Sequence, residues 1–196
     1  MAAFKWMATI WLTVALLGLA GCAGATRGIV PRSETLNQAA VSQDLKRILK
    51  NGDWLVTRGV GKADNLVATA TNMPLSHAAI YDAEFDQVIE ADGDGVHSTP
   101  LSAFIGKSQR LMVIRPVWAG LENSAAAVNL ARSWRGAGYN FTDLVGLDMP
   151  KRYYCTQVAL LAYQPDRNNR KPNPIPKVIA PGQMYHWGRI LYDTGP

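Results

Sequence analysis

From Trp6 to Ala20 the chain is almost unbrokenly apolar, and no later segment repeats a run of that length. Beyond residue 35 the pattern becomes periodic. Leu36, Ala40, Val41, Leu45, Ile48 and Leu49 recur at helical spacing, and Asn51-Gly52 supplies a helix stop. Short β-type runs follow at 53–57 (DWLVT), 78–81 (AAIY), 87–91 (QVIEA) and 111–117 (LMVIRPV), separated by turn residues. Between the first two, residues 63–71 fit either a short helix or an irregular loop. After Gly120 the period lengthens again: Ala127, Leu130, Ala131 and Trp134 form one stripe of a helix over 123–134, closed by Gly136 and Gly138. Residues 154–163 (YCTQVALLAY) predict a second, more buried helix. Residues 164–182 are proline-rich and polar, a loop or flap, and 184–192 is a candidate last strand. There are no internal repeats or heptads. Strands gathered in the middle with helices at both ends predict an α+β domain around a central antiparallel sheet or partial barrel.

The apolar leader carries one Lys near its start and ends Leu19-Ala20-Gly21-Cys22. A basic start, an apolar stretch and small residues at a processing site mark an export signal; an uncleaved membrane anchor is the competing reading, since about 20 apolar residues span a bilayer. The tetrapeptide Leu19-Ala20-Gly21-Cys22 favours the signal, because it resembles the lipobox of bacterial lipoproteins, in which the cysteine is lipidated and becomes the first residue of the mature chain. The expected organisation is a lipoprotein signal peptide over 1–21, a lipidated tether over 22–35 and a single domain over 36–196. Such a protein sits in the bacterial cell envelope, anchored to a membrane through Cys22, on the periplasmic side and at the outer membrane if the source is Gram-negative.

Charge changes the picture little. The 20 Lys and Arg exceed the 15 Asp and Glu, for a net +5, but they are scattered without the dense stripe and interleaved aromatics of a nucleic-acid surface. A mildly basic surface suits anionic lipid or an acidic wall polymer. No nucleic-acid partner is expected, and a monomer is.

Cysteine count says more. If lipid occupies the Cys22 sulfur, Cys155 is left as a lone thiol on an exported chain, either buried and inert or used. It opens a predicted helix, where unpaired N–H groups favour a thiolate. His77 opens a predicted strand, and Glu90 and Asp92 end the next. A histidine in reach of the thiol takes its proton and later returns it to the leaving group, and an acid on the far imidazole nitrogen fixes the tautomer. A four-residue loop over 83–86 would pair Asp82 with Gln87, Ala79 with Glu90 and His77 with Asp92. His77, Ala79, Tyr81, Val88, Glu90 and Asp92 then share one face, and Ala78, Ile80, Ile89 and Ala91 form an apolar opposite face suited to a core. Glu90 becomes the diagonal neighbour of His77, and Asp92 its direct rival for the third role.

Other motifs carry less. Asp92-Gly93-Asp94-Gly95 lacks the ligand spacing of a calcium loop and reads as a turn. Gly59-Val60-Gly61-Lys62 has neither Walker spacing nor a dinucleotide-binding context. His97 and His186 have no partner motif. Tyr139 fits a site-lining or oxyanion role and plain packing alike, and the backbone N–H of Cys155 is the better oxyanion donor.

The ordered segments GDWLVT, SHAAIYD, VIEADGDGVHSTPL, GAGYNFTDL and YYCTQVALLAY resemble the permuted NlpC-type papain-like cysteine hydrolases, the YiiX, YaeF and YebB group. In this group the order is histidine, acid, cysteine. The resemblance implies a permuted papain-like fold with the nucleophile-bearing helix packed on the sheet, Cys155 as nucleophile, His77 as general base and Glu90 orienting the imidazole. One departure is visible: Thr156-Gln157 stands where Ser or Thr and Glu often follow the cysteine. The implied function is a thiol hydrolase, a peptidase or amidase working through a thioester at Cys155 without metal or organic cofactor, on cell-wall peptides. The alternatives are a lipid-directed thiol acyltransferase or amidase, and a catalytically silent lipoprotein that binds wall or lipid fragments.

Overall fold

The computed structural model describes residues 35–142, 147, 149–163, 176 and 178–195. The expected leader, Cys22, the tether before residue 35 and most of the proline-rich loop lie outside them.

Helix α1 (Gln38–Ile48) starts where the Asn37 side chain accepts from the Ala40 N–H, and Lys46 and Arg47 meet the negative end of its last turn. Strand β1 (Trp54–Gly59) follows. The ambiguous stretch after it is a helix, α2 (Lys62–Thr71), which stops at Asn72 in the left-handed conformation. Strands β2 (His77–Asp82), β3 (Gln87–Asp92) and β4 (Gly95–Pro100) form a meander. A short helix α3 (Leu101–Gly106) leads into β5 (Ser108–Pro116), then α4 (Leu121–Ser133). The two-residue strands β6 (Gly138–Tyr139) and β7 (Arg152–Tyr153) pair in parallel just before helix α5 (Cys155–Leu161). The candidate last strand is in fact a 3₁₀ turn over Pro181–Trp187 followed by β8 (Gly188–Asp193).

Six strands make one antiparallel sheet in the order β4-β3-β2-β1-β5-β8. The β2–β3 register is the one the hairpin geometry gives, with Asp82 opposite Gln87 and Ala79 opposite Glu90. The tight turn needs Asp86 at φ 48, and the Tyr81 hydroxyl donates to its carboxylate at 2.9 Å. β4 was not foreseen. It begins at Gly95, where φ is +94 and an added Cβ would lie 2.4 Å from the Ala137 carbonyl oxygen, so only glycine fits that close approach.

Both faces of the sheet are covered, which corrects the expectation of one apolar face. Ala78, Ile80, Ile89 and Ala91 do meet a core, made with Trp54, Ile114, α4, α5 and the 3₁₀ turn. Ala79, Tyr81 and Val88 on the other face are buried as well, beneath Val41 and Leu45 of α1 and Leu101, Phe104 and Ile105 of α3. Trp54 ties sheet to helix: its Nε1–H donates to the Ala159 carbonyl of α5 at 3.0 Å. The Thr156 hydroxyl donates to the Ile179 carbonyl, and the Ile179 N–H donates to the Tyr154 hydroxyl, so the start of α5 is pinned from both sides.

Candidate active site

The site forms where β2 begins and α5 begins. Tyr153, stacked on Trp134 at 4.7 Å between ring centroids, accepts the Asn140 N–H on its carbonyl and fixes the chain two residues before Cys155. The Gln157 side chain accepts the Tyr154 N–H at 3.1 Å. That gives the departure at Gln157 a local role: it caps the helix start. Cys155 is buried and its N–H, in the first turn of α5, has no acceptor within the helix.

His77 joins this thiol to Glu90. Its Nε2 lies 2.5 Å from Glu90 Oε2, and the Cys155 side chain is the ring's other electrostatic partner. With Nε2 taken by the carboxylate, Nδ1 is the nitrogen left for sulfur. The imidazole is 14% exposed and the Glu90 side chain not at all. Burial by itself pushes the His77 pKa down, but hydrogen bonds and charges from Cys155 and Glu90 outweigh it and raise the value to about 10. Burial likewise pushes Glu90 up, and hydrogen bonds with His77 and His97 together with the charges of His77 and Lys107 reverse this, holding the carboxyl well below its ordinary range.

Cys155, His77 and Glu90, the residues singled out in the sequence, are thus brought together. Asp92, the rival, is not on His77: its Oδ1 accepts the Asp94 N–H at 3.0 Å, closing the turn, and lies 3.6 Å from His97 Nδ1. His97, for which the sequence offered no partner motif, meets the carboxylates of this site. It stands opposite Glu90 in the ladder, with Nε2 3.6 Å from Glu90 Oε1. Two further partners of Glu90 went unnoticed in the sequence: the Thr99 hydroxyl donates to Oε1 at 2.5 Å and Lys107 Nζ at 2.8 Å. The only available signal was position, since Thr99 falls two residues from His97 on the same strand face.

Tyr139 lies close enough to Cys155 for the two groups to interact electrostatically. Its hydroxyl is pushed well above the ordinary range, chiefly by burial and then by its electrostatic interaction with Cys155 and Asp92. His186 packs among Tyr185 and Trp187, and Gly61 caps α2 while its N–H donates to Asp64. Among the described residues Glu90, Asp92 and His97 offer donor atoms within 4.8 Å of one another. Thr99 and Lys107 already hold one Glu90 oxygen and His77 the other, so this set does not fit a divalent cation.

A buried thiol at a helix start, an imidazole against it and a carboxylate behind define a papain-like cysteine hydrolase on a six-stranded antiparallel sheet. Residues 49–179 match the permuted papain-like amidase enzymes, the YaeF/YiiX, C92 family, and the chain belongs to that family. It is a thiol-dependent hydrolase of the amidase type. Among solved structures, the crystal structure of the metalloprotein YiiX from Escherichia coli O157:H7 is similar, with a TM-score of 0.58 and 18% identity, covering 75% of this chain and 98% of that one. No curated protein matches it in sequence.

Proposed function

We propose that Cys155 is the nucleophile, His77 the general base and Glu90 the carboxylate that orients the imidazole, and that the protein cleaves amide bonds of cell-envelope molecules, cell-wall peptides foremost. The observation that carries the proposal is the unbroken line from Cys155 through His77 to Glu90 Oε2. His77 takes the thiol proton on Nδ1 ahead of the attack and holds it as imidazolium; the sulfur then attacks the carbonyl carbon, and the oxyanion is received by the Cys155 N–H. The imidazolium then protonates the leaving amine, giving a thioester. His77 next removes a proton from water, which attacks the thioester carbonyl, and the acid leaves as the thiol is restored. Glu90 keeps the Nε2–H tautomer in place and balances the imidazolium in both halves of the cycle.

Lipid attachment at Cys22 fits the same reading, because a tethered hydrolase meets substrates at a membrane face. The test uses mass spectrometry of wall digests and lipid extracts incubated with the protein and with Cys155→Ala. Cleaved peptides that appear only with the intact thiol support the proposal. Products that arise only from lipid extracts move the substrate to acylated lipids, and acyl transfer to an added amine in place of water marks an acyltransferase. Metabolic palmitate labelling, lost in Cys22→Ser, checks the anchor.

A further inference from the structure

The proposed chemistry uses one oxygen of Glu90. The other, Oε1, is the more heavily bound: it accepts the Thr99 hydroxyl and the Lys107 ammonium, and His97 stands at 3.6 Å. Glu90 has no exposed surface, so water cannot hold its carboxylate in position. A glutamate on a strand also has three side-chain torsions to fix before its carboxylate can present one particular oxygen to a ring nitrogen. Thr99 suits that task. It is β-branched and therefore stiff at χ1, it sits on the neighbouring strand opposite Val88, and its hydroxyl donates to the Glu90 carboxylate. Lys107 comes from elsewhere in the chain, at the end of α3, with its ammonium 5.7 Å from the centroid of the Phe104 ring that also neighbours His77.

We propose that Thr99 and Lys107 are positioning residues: together they clamp Glu90 Oε1, Thr99 fixing its direction and Lys107 balancing its charge, so that Oε2 is presented to His77 Nε2. The proposal rests on the triad reading above. The charged and titratable groups facing this unit are His77 on β2, Glu90 and Asp92 on β3, His97 on β4, Lys107 before β5, Tyr139 on β6 and Cys155 on α5. The two partners affect His77 with opposite sign. A Glu90 that loses the Thr99 hydrogen bond holds imidazolium less well. A Glu90 that loses Lys107 keeps its charge for His77 alone and holds imidazolium better.

The test is the titration of His77 in the full chain by NMR of ¹⁵N-histidine, the three histidines being assigned by substitution. Thr99→Val should lower the His77 midpoint, because a Glu90 carboxylate free to turn presents Oε2 to Nε2 only part of the time, and Thr99→Ser should restore it. Lys107→Met should raise the midpoint and Lys107→Arg should leave it unchanged. Thermal melts run alongside show that each variant is folded. An unchanged midpoint in Thr99→Val, failure of Thr99→Ser to restore it, or a downward movement in Lys107→Met overturns the clamp while leaving the triad intact. A midpoint near 6.5 in the unsubstituted protein, or one indifferent to Glu90→Gln, overturns the triad reading and the clamp with it.

Discussion

Glu90 is a carboxylate without exposed surface that faces an imidazole, an ammonium and a hydroxyl, so its charge is kept inside the protein by partners alone. Replacing it by Gln leaves an acceptor for His77 but removes the charge that stabilises imidazolium; a fall in kcat of about a hundredfold or more is expected, with KM little changed. Asp92→Asn, two residues along, should stay within about twofold, because Asp92 closes a turn and does not touch His77. The same pair sets a pH dependence. His77 holds its proton in the folded state to about 10, against an ordinary 6.5, so the stability it contributes is complete below pH 6.5 and is lost as pH rises towards 10. The melting temperature should therefore decline across that window, and the decline should flatten in Glu90→Gln. His77 and Glu90 were legible together because a four-residue hairpin loop fixes which residues share a face. Thr99, His97 and Lys107 were not. Their meeting depends on a second hairpin with a glycine-led turn and on a lysine carried in from beyond α3.

The elements that the sequence marked clearly are those with a buried face. β2 and β3 are short runs bounded by turn residues and buried along nearly their whole length, and α4 buries Ala127, Val128 and Ala131 on one stripe. β4 reads GVHSTP, polar and proline-terminated, as suits an edge strand with three half-buried positions; α3 has six residues, too few to show a period. Helix α5 is seven residues long and would not persist alone. It is held by contacts with the sheet, above all by Trp54, whose fully buried ring meets Trp118 and Tyr163 edge-on at 6.0 Å while its N–H holds the Ala159 carbonyl. Trp54→Phe removes that hydrogen bond and leaves a cavity beneath the helix that carries Cys155. A loss of about 2–3 kcal/mol is expected, read as a lower urea midpoint with unchanged slope.

At the scale of the whole molecule the chain order is histidine, acid, cysteine, yet the three converge because β2 and β3 lie side by side and α5 packs across them. The order of motifs makes this family legible in the sequence alone. What stayed hidden was the third layer: α1 and α3 cover the face that carries Ala79 and Val88, and short helices give too little pattern to announce which side of a sheet they will take. No helix among the described residues is long and apolar enough to cross a membrane. The central claim is that Cys155 reacts through a proton held by His77. Its most direct measurement is the rate of iodoacetamide alkylation of the Cys155 peptide between pH 6 and 8, in the protein and in His77→Ala. The account predicts a rate that changes by less than about tenfold over this range in the protein and by about a hundredfold in His77→Ala, as for an ordinary thiol with a pKa near 8.5. The same hundredfold dependence in both proteins would contradict it.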